Sequence, residues 1–323
     1  MEHLMEIAKM KNDFKVYIVM ISVVLVSIAP GTAYSANRSG TVSGQFLKLG
    51  LSARAMGMGD AQVAVADGAS SIGFNPAGMM GVPDYGFAAT YTAWVADIQH
   101  SYVGLVKNFP GIGAVGFSVV LLTTGDIVET TPSFPEGTGR TFRSSEYAFS
   151  AAFARQVTEQ FRVGINGKFI QSYLYDKVLG TTSFALDIGT LYDLPIIRSH
   201  IGVSLTNIGK DLTYIDETYS LPTALRFGVL LDVLQDANNQ LVTTLQIVRP
   251  NDADEHYNFG AEYTFSNMVS LRGGWKFLYD QENVTGGFGV HLNSLGLNST
   301  LDYAYNNYNY LPGTHSFTLS VQF

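Results

Sequence analysis

"HYNFGAEYTFSNMVSLRGGWKFLY", His256 to Tyr279, holds two runs of strict alternation around one short break. In the first run Tyr257, Phe259, Ala261, Tyr263 and Phe265 share a face, and Asn258, Gly260, Glu262 and Thr264 share the other. In the second, Val269, Leu271, Trp275, Phe277 and Tyr279 stand against Ser270, Arg272, Gly274 and Lys276. A period of two is the signature of strands. A soluble sandwich alternates as well. Here the apolar face is aromatic near the segment ends, as membrane interfaces require, and the other face suits a wet or plugged lumen. Strands in lipid must close on themselves, because an open edge leaves unpaired backbone groups in hydrocarbon. The expected fold is therefore an all-β transmembrane antiparallel barrel.

The same style extends along the chain from Tyr85. "FRVGINGKFI" sets Phe161, Val163, Ile165, Gly167 and Phe169 against Arg162, Gly164, Asn166 and Lys168. "YGFAATYTAWV" puts Tyr85, Phe87, Ala89, Tyr91, Ala93 and Val95 on one face. Such segments begin near Tyr85, Gln99, Gly113, Phe142, Phe161, Thr181 and His200, and again near Thr223, Leu241, His256, Val269, Val284, Leu297 and Thr314. That is about fourteen strands, an even number that puts both barrel ends on one side. The breaks alternate in length. "FPGIG", "VTEQ", "FSN" and "NSLG" are short, whereas Thr124 to Thr141, Gly209 to Pro222, "RPNDADE" and "NNYNYLPG" are long. Outer-membrane barrels pair short periplasmic turns with longer outer loops.

Composition agrees. Charged residues make up 14% of the chain, against about 25% in soluble domains. The net charge is −8 and no Lys/Arg run is present, which argues against nucleic acid. With no Cys, disulfides and thiolate metal sites are excluded. Lys9, Lys11 and Lys15 precede an apolar run from Val16 to Ala29, broken by Pro30 and Gly31. This reads as a signal peptide over 1–35, with Ala33 and Ser35 at the cleavage positions and cleavage after Ala33 or Ala36 left open. The run is too short to span a bilayer. Met10 is an alternative start. Localisation in the outer membrane, in contact with its lipid, follows.

"GQFLKLGLSARAMGMGDAQVAVADGASSIGFNPAGM", Gly44 to Met79, resembles the N-terminal signature of the PorV/PorQ family of outer-membrane proteins, which are related to the FadL-type long-chain fatty-acid transporters. "IGVSLTNIG", "LPTALRFGV" and "GGFGVHL" follow in the family's order. The resemblance implies a fourteen-stranded barrel, 85–323, plugged from the periplasmic side by an N-terminal hatch, 36–84. It also implies two jobs. PorV-like members serve type IX secretion to the cell surface. FadL-like members carry hydrophobic small molecules through a lateral opening.

Within the hatch, Gly57 and Gly59 flank Met58 and permit close backbone approach. Their use is either gating or plain packing. Arg54 needs a wall carboxylate, since an unpaired buried charge is costly. Asp187, Glu262 and Asp302 are the candidates; the pair is structural, or Arg54 contacts a substrate. Asn75 and Pro76 suit a helix N-cap and first turn, with Ala77 inside and Gly78 as the stop. At the far end Phe317, Leu319, Val321 and Phe323 share one face. They form an ordinary last strand or the signal read by barrel-assembly machinery.

Chemistry is sparse. No G-x-S-x-G or H-E-x-x-H is present, and the histidines lack metal spacing. No catalytic residue, metal or cofactor is expected. "NDADEH", Asn251 to His256, reads as a solvated acidic loop. The expected function is a PorV-type component of protein secretion. The alternative is a FadL-like transporter.

Overall fold

Alternation becomes architecture when every second side chain faces a different solvent. The computed structural model describes residues 40–175, 178–195, 198–292 and 298–323. The expected signal segment, 1–35, the turn "NSLG" and the strand start at Leu297 lie outside the described residues. The strands are β1 (Tyr85–Ala93), β2 (Gln99–Phe109), β3 (Gly113–Thr123), β4 (Ile127–Val128), β5 (Thr141–Phe142), β6 (Ser145–Gln156) and β7 (Phe161–Tyr175). Then come β8 (Leu179–Leu194), β9 (Ser199–Gly209), β10 (Leu212–Tyr214), β11 (Glu217–Tyr219), β12 (Ala224–Gln235) and β13 (Gln240–Pro250). Last are β14 (His256–Phe265), β15 (Val269–Phe277), β16 (Glu282–His291), β17 (Asn298–Tyr308) and β18 (Thr314–Gln322).

Fourteen of these form one closed antiparallel ring; β4–β5 and β10–β11 are separate hairpins in long connections. The ring closes through β1 and β18, from Gly86↔Gln322 to Ala93↔His315. Closure satisfies the backbone without water, which is what a lipid-facing sheet requires. Burial is inverted relative to a soluble protein. Along β7, Asn166 and Lys168 are buried while Ile165 is exposed. Along β14, Asn258 and Glu262 are buried while Phe259 and Tyr263 are exposed. Among the described residues no helix is long and apolar enough to cross a membrane; the strands do so.

Some expectations shift. Phe142 does not start a wall strand. It pairs with Ile127 in the β4–β5 hairpin, and the wall resumes at Ser145. Val95 leaves the β1 face, because a short turn, Val95–Asp97, follows Trp94. Tyr279 also lies past its strand and turns inward, its hydroxyl donating to Asn258 Oδ1 at 3.1 Å. Asp252 is buried rather than solvated: both carboxylate oxygens accept from Lys48 Nζ, at 2.7 and 2.6 Å.

The chain before β1 lies within the ring. It starts at the long-connection end, where Val42 bridges Ser220 and Ser43 N donates to Ser220 O at 3.0 Å. It ends at the short-turn end, where Val82 O accepts from Asn108 Nδ2 at 2.9 Å. Between them lie 3₁₀ turns at Gln45–Lys48, Ala69–Gly73 and Pro76–Gly81 and one short helix, α1 (Ala53–Gly57). This inner segment therefore runs the height of the lumen. It is more than a stopper at the periplasmic mouth.

Candidate functional site

Two kinds of contact hold the inner segment. Towards β1–β9 the contact is apolar. Ile72, Phe74 and Met79 join one cluster with Tyr102, Ile170 and Leu191. These side chains sit there because the residues around them are small: Gly116 faces Met79 and Ile72, and Gly104 faces Ala69 O. Polar ties are fewer: Tyr102 Oη donates to Ala69 O at 2.6 Å and Asn166 Nδ2 to Ile72 O at 3.2 Å, and Asn75 reaches the wall with its own side chain. Its Oδ1 accepts from Ala77 N at 3.3 Å, capping the turn begun by Pro76, while Nδ2 donates to Val63 O at 2.8 Å and Thr190 O at 3.1 Å. One amide thus closes a turn, ties two stretches of the inner segment and reaches β8. The turn continues to Gly81, so Gly78 does not end it. A Cβ at Gly78 would meet the backbone of Ala66 at 2.7 Å, so its small size serves packing.

Towards β12–β18 the contact is mainly polar, beside two small apolar contacts, Ala53 and Met56 with Ala304 and Ala64 with Leu230 and Val242. Arg54 reaches Glu262 with Nε at 3.0 Å and Nη2 at 2.7 Å, a bidentate pair. Glu262 also accepts from Arg272 Nε, and Arg272 Nη1 reaches Asp302 Oδ1 at 2.7 Å. Two of the three expected partners of Arg54 thus fall in one network. The third, Asp187, is opposite, accepting from Lys168 Nζ at 2.8 Å and Asn207 N at 2.7 Å. Higher in the lumen Lys276 pairs with both Asp60 and Glu282. Gln246 clamps the backbone: its Oε1 accepts from Gln62 N at 3.0 Å and Val63 N at 2.9 Å, and its Nε2 donates to Asp60 O at 3.0 Å. Sequence reading placed Lys276 on the polar face without giving it a role, and did not name Gln246. Their inward, alternating positions on β13 and β15 are the signal that marks them.

Gly57 and Gly59 lie where the two backbones meet. Gly57 faces Gly287, and the Cβ of either residue would lie 3.4 Å from the other's Cα. Gly59 has φ +67°, a conformation that favours glycine, and a Cβ there would lie 2.7 Å from Phe259 O. The wall answers with its own small residues. Thr244, Gly260, Gly274 and Thr285 are successive cross-strand partners from β13 to β16. A Cβ at Gly260 or Gly274 would collide with Met58 or Gly59 backbone.

A cavity of about 320 Å³ opens at the long-connection end, lined by Lys48, Asp60, Arg226, Lys276, Tyr279 and Glu282 among others. Arg226 is buried there and donates Nη1 to Thr206 Oγ1 at 2.7 Å. Trp94 and Tyr308, edge to face with centroids 5.6 Å apart, also line it. A second cavity, about 570 Å³, lies at the short-turn end, lined by Arg54, Glu262, Arg272, His291, Asp302 and Gln322 among others. The charged side chains in both linings suit polar groups and water. Among the described residues no cluster of three or more metal-ligating side chains occurs. The C-terminal residues Phe317, Leu319 and Phe323 are exposed on the outer face of β18 and at its end, with Val321 partly buried.

The profile of the family described as type IX secretion system protein PorV matches residues 32–250. No curated protein matches the chain. Among solved structures, the Pseudomonas putida toluene transporter TodX is similar at 11% identity and TM-score 0.59, covering 84% of this chain and 97% of its own. The Ralstonia pickettii toluene transporter TbuX is similar at 14% identity and TM-score 0.54, over 83% of this chain and 98% of its own. A Pseudomonas aeruginosa FadL homologue is similar at 8% identity and TM-score 0.54, over 84% and 98%. At these identities the likeness is one of fold.

Proposed function

Since the chain belongs to the family of the type IX secretion system protein PorV and is an outer-membrane β-barrel, we propose that it is a component of, or docking platform for, type IX-like protein secretion to the cell surface. One observation carries this reading. The lumen cavity at the long-connection end mixes apolar side chains, among them Leu49, Met56, Trp94 and Val248, with the charged groups of Lys48, Asp60, Arg226, Lys276 and Glu282, so charge interrupts its apolar lining. A carrier of hydrophobic molecules needs a contiguous apolar pocket there. The outer connections, by contrast, display apolar side chains to solvent. Phe134 is 60% exposed and Tyr310 87%, in the two stretches "PSFPEG" and "NYNYLP". Such groups suit the docking of secretion-system proteins.

On this reading residues 1–35 are a signal peptide, 36–84 a hatch and 85–323 the barrel. Arg54, Gly57, Gly59, Asn75, Pro76 and Ala77 seat the hatch. Phe317, Leu319, Val321 and Phe323 present the signal to barrel-assembly machinery. The second reading, transport of hydrophobic small molecules such as long-chain fatty acids, has one observation in its favour. The β8–β9 ladder shifts register between Leu186 and Ile188, a break in the wall of the kind a lateral path needs. That break is filled by Asp187, Asn207 and Lys168.

The test is a Phe134→Asp, Tyr310→Asp variant compared with a deletion. The secretion reading expects surface display of cargo to fall in both while the variant barrel still assembles. Intact display with reduced fatty-acid uptake in the deletion sinks it in favour of transport.

A further inference from the structure

The two cavities lie on the same half of the lumen, at opposite ends. On β14, Asn258 lines the outer cavity and Glu262 the inner one; on β15, Lys276 and Arg272 do the same. One inward residue separates them on each strand, Gly260 and Gly274. Four residues of strand span about 13 Å, so the partition is thin. It consists of the inner segment alone. Met56, Asp60 and Gln62 line the outer cavity, while Ser52 and Arg54 line the inner one.

The partition is attached in an unusual way. At mid-height it meets glycines, and the wall side chains that reach it there, Thr285 at Gly57 O and Gly59 N and Gln246 at Gln62 N and Val63 N, do so only through hydrogen bonds. Its charged ties are Asp60 to Lys276 above and Arg54 to Glu262 below. In both ties the wall carries its own replacement. Lys276 also holds Glu282, and Glu262 also holds Arg272, which holds Asp302. Withdrawal of the partition therefore leaves neither Lys276 nor Glu262 without an opposite neighbour. That removes the main penalty for breaking a buried ion pair. The remaining ties are hydrogen bonds that water can replace, such as Ala53 N to Thr318 Oγ1 at 2.8 Å, and one small apolar contact of Ala53 and Met56 with Ala304.

We propose that the β12–β18 half of the lumen is a path for ions and small polar solutes, closed by the stretch Ser52–Gln62 acting as a removable septum. The lining carries both charge signs and amides, so the open path is wet and accepts hydrophilic solutes of either sign. The apolar contacts towards β1–β9 stay in place and act as the anchor from which the septum swings.

Single-channel recording of the purified full chain in planar lipid bilayers in KCl tests this. The unaltered protein is expected to be closed most of the time. The Arg54→Gln, Asp60→Asn variant is expected to open at least about tenfold more often, since each substitution removes a septum tie and spares the wall pairs. An unboiled gel band that shifts on heating shows that the barrel has assembled. Assembled variant protein with unaltered opening overturns the proposal. A second variant, Asp60→Cys with Lys276→Cys, uses the absence of native Cys. It is expected to open likewise, to fall silent on treatment with a short bis-methanethiosulfonate cross-linker, and to recover on reduction. Openings that persist after cross-linking, verified by mass, place the current elsewhere and also overturn it. If the first variant does not assemble, Asp60→Asn alone, with Lys276 still held by Glu282, is judged by the same two outcomes.

Discussion

The inner segment meets two walls that hold it by different physics. Towards β1–β9 it buries Ile72, Phe74 and Met79 in an apolar cluster, where cohesion grows with area and is not screened by salt. Towards β12–β18 it is held by Arg54, Asp60 and backbone groups that meet Glu262, Lys276 and Gln246. Such contacts depend on exact partners and on the exclusion of water. One side resists deformation in proportion to how much is packed. The other depends on which partner is lost, and it alone borders both cavities.

The sharpest way to break the polar side is Arg272→Met. Arg272 joins Glu262 and Asp302 and is fully buried. Its loss leaves Asp302 without its cation, and the expected cost is about 3–5 kcal/mol. Urea titration of the detergent-solubilised barrel, followed by the heat-shifted gel band, reads it. An equal loss on the apolar side needs a whole side chain. Ile72→Ala removes a completely buried group, with an expected cost of about 2–4 kcal/mol that does not shrink as salt is raised in the same titration. Asn75→Ala tests the link between the halves, since this amide ties Val63 O to Thr190 O. Its expected cost is about 1–2 kcal/mol, with faster proteolysis of the inner segment than in Ile72→Ala. The smallest effect is expected for Arg54→Gln. Its side chain is about a third exposed and Glu262 keeps Arg272, so the loss is below about 1 kcal/mol and shrinks as salt is raised. A salt-independent loss from Arg54→Gln would erase the distinction between the two sides.

The wall was legible because its information is local. Period two, with turn residues between runs, placed β1, β2, β3, β7, β14, β15 and β18 at their first residue. It failed at Phe142, where alternation continues through a two-residue hairpin outside the ring. It failed at Tyr279 too, where the chain has left the strand and no pleat fixes direction. The inner segment was far less legible. Its residues are small and aperiodic, and what positions them is on the wall, far away in sequence. The choice of Glu262 over Asp187 for Arg54 depends on the order of strands around the ring, which alternation alone does not contain. The clamp at Gln246 is invisible for the same reason: its partners are backbone amides, which every residue has.

The row Thr244, Gly260, Gly274 and Thr285 carries one more implication. Where glycine faces glycine, main chain gauges main chain, and no longer or shorter side chain is available to take up slack. The width of the ring is thereby matched to the thickness of what it encloses. Barrel diameter grows with each added strand, so a duplicated hairpin would open a gap along this row that substitution there could not fill. Loops can lengthen without disturbing this fit, but the number of staves cannot change without recutting the piece inside.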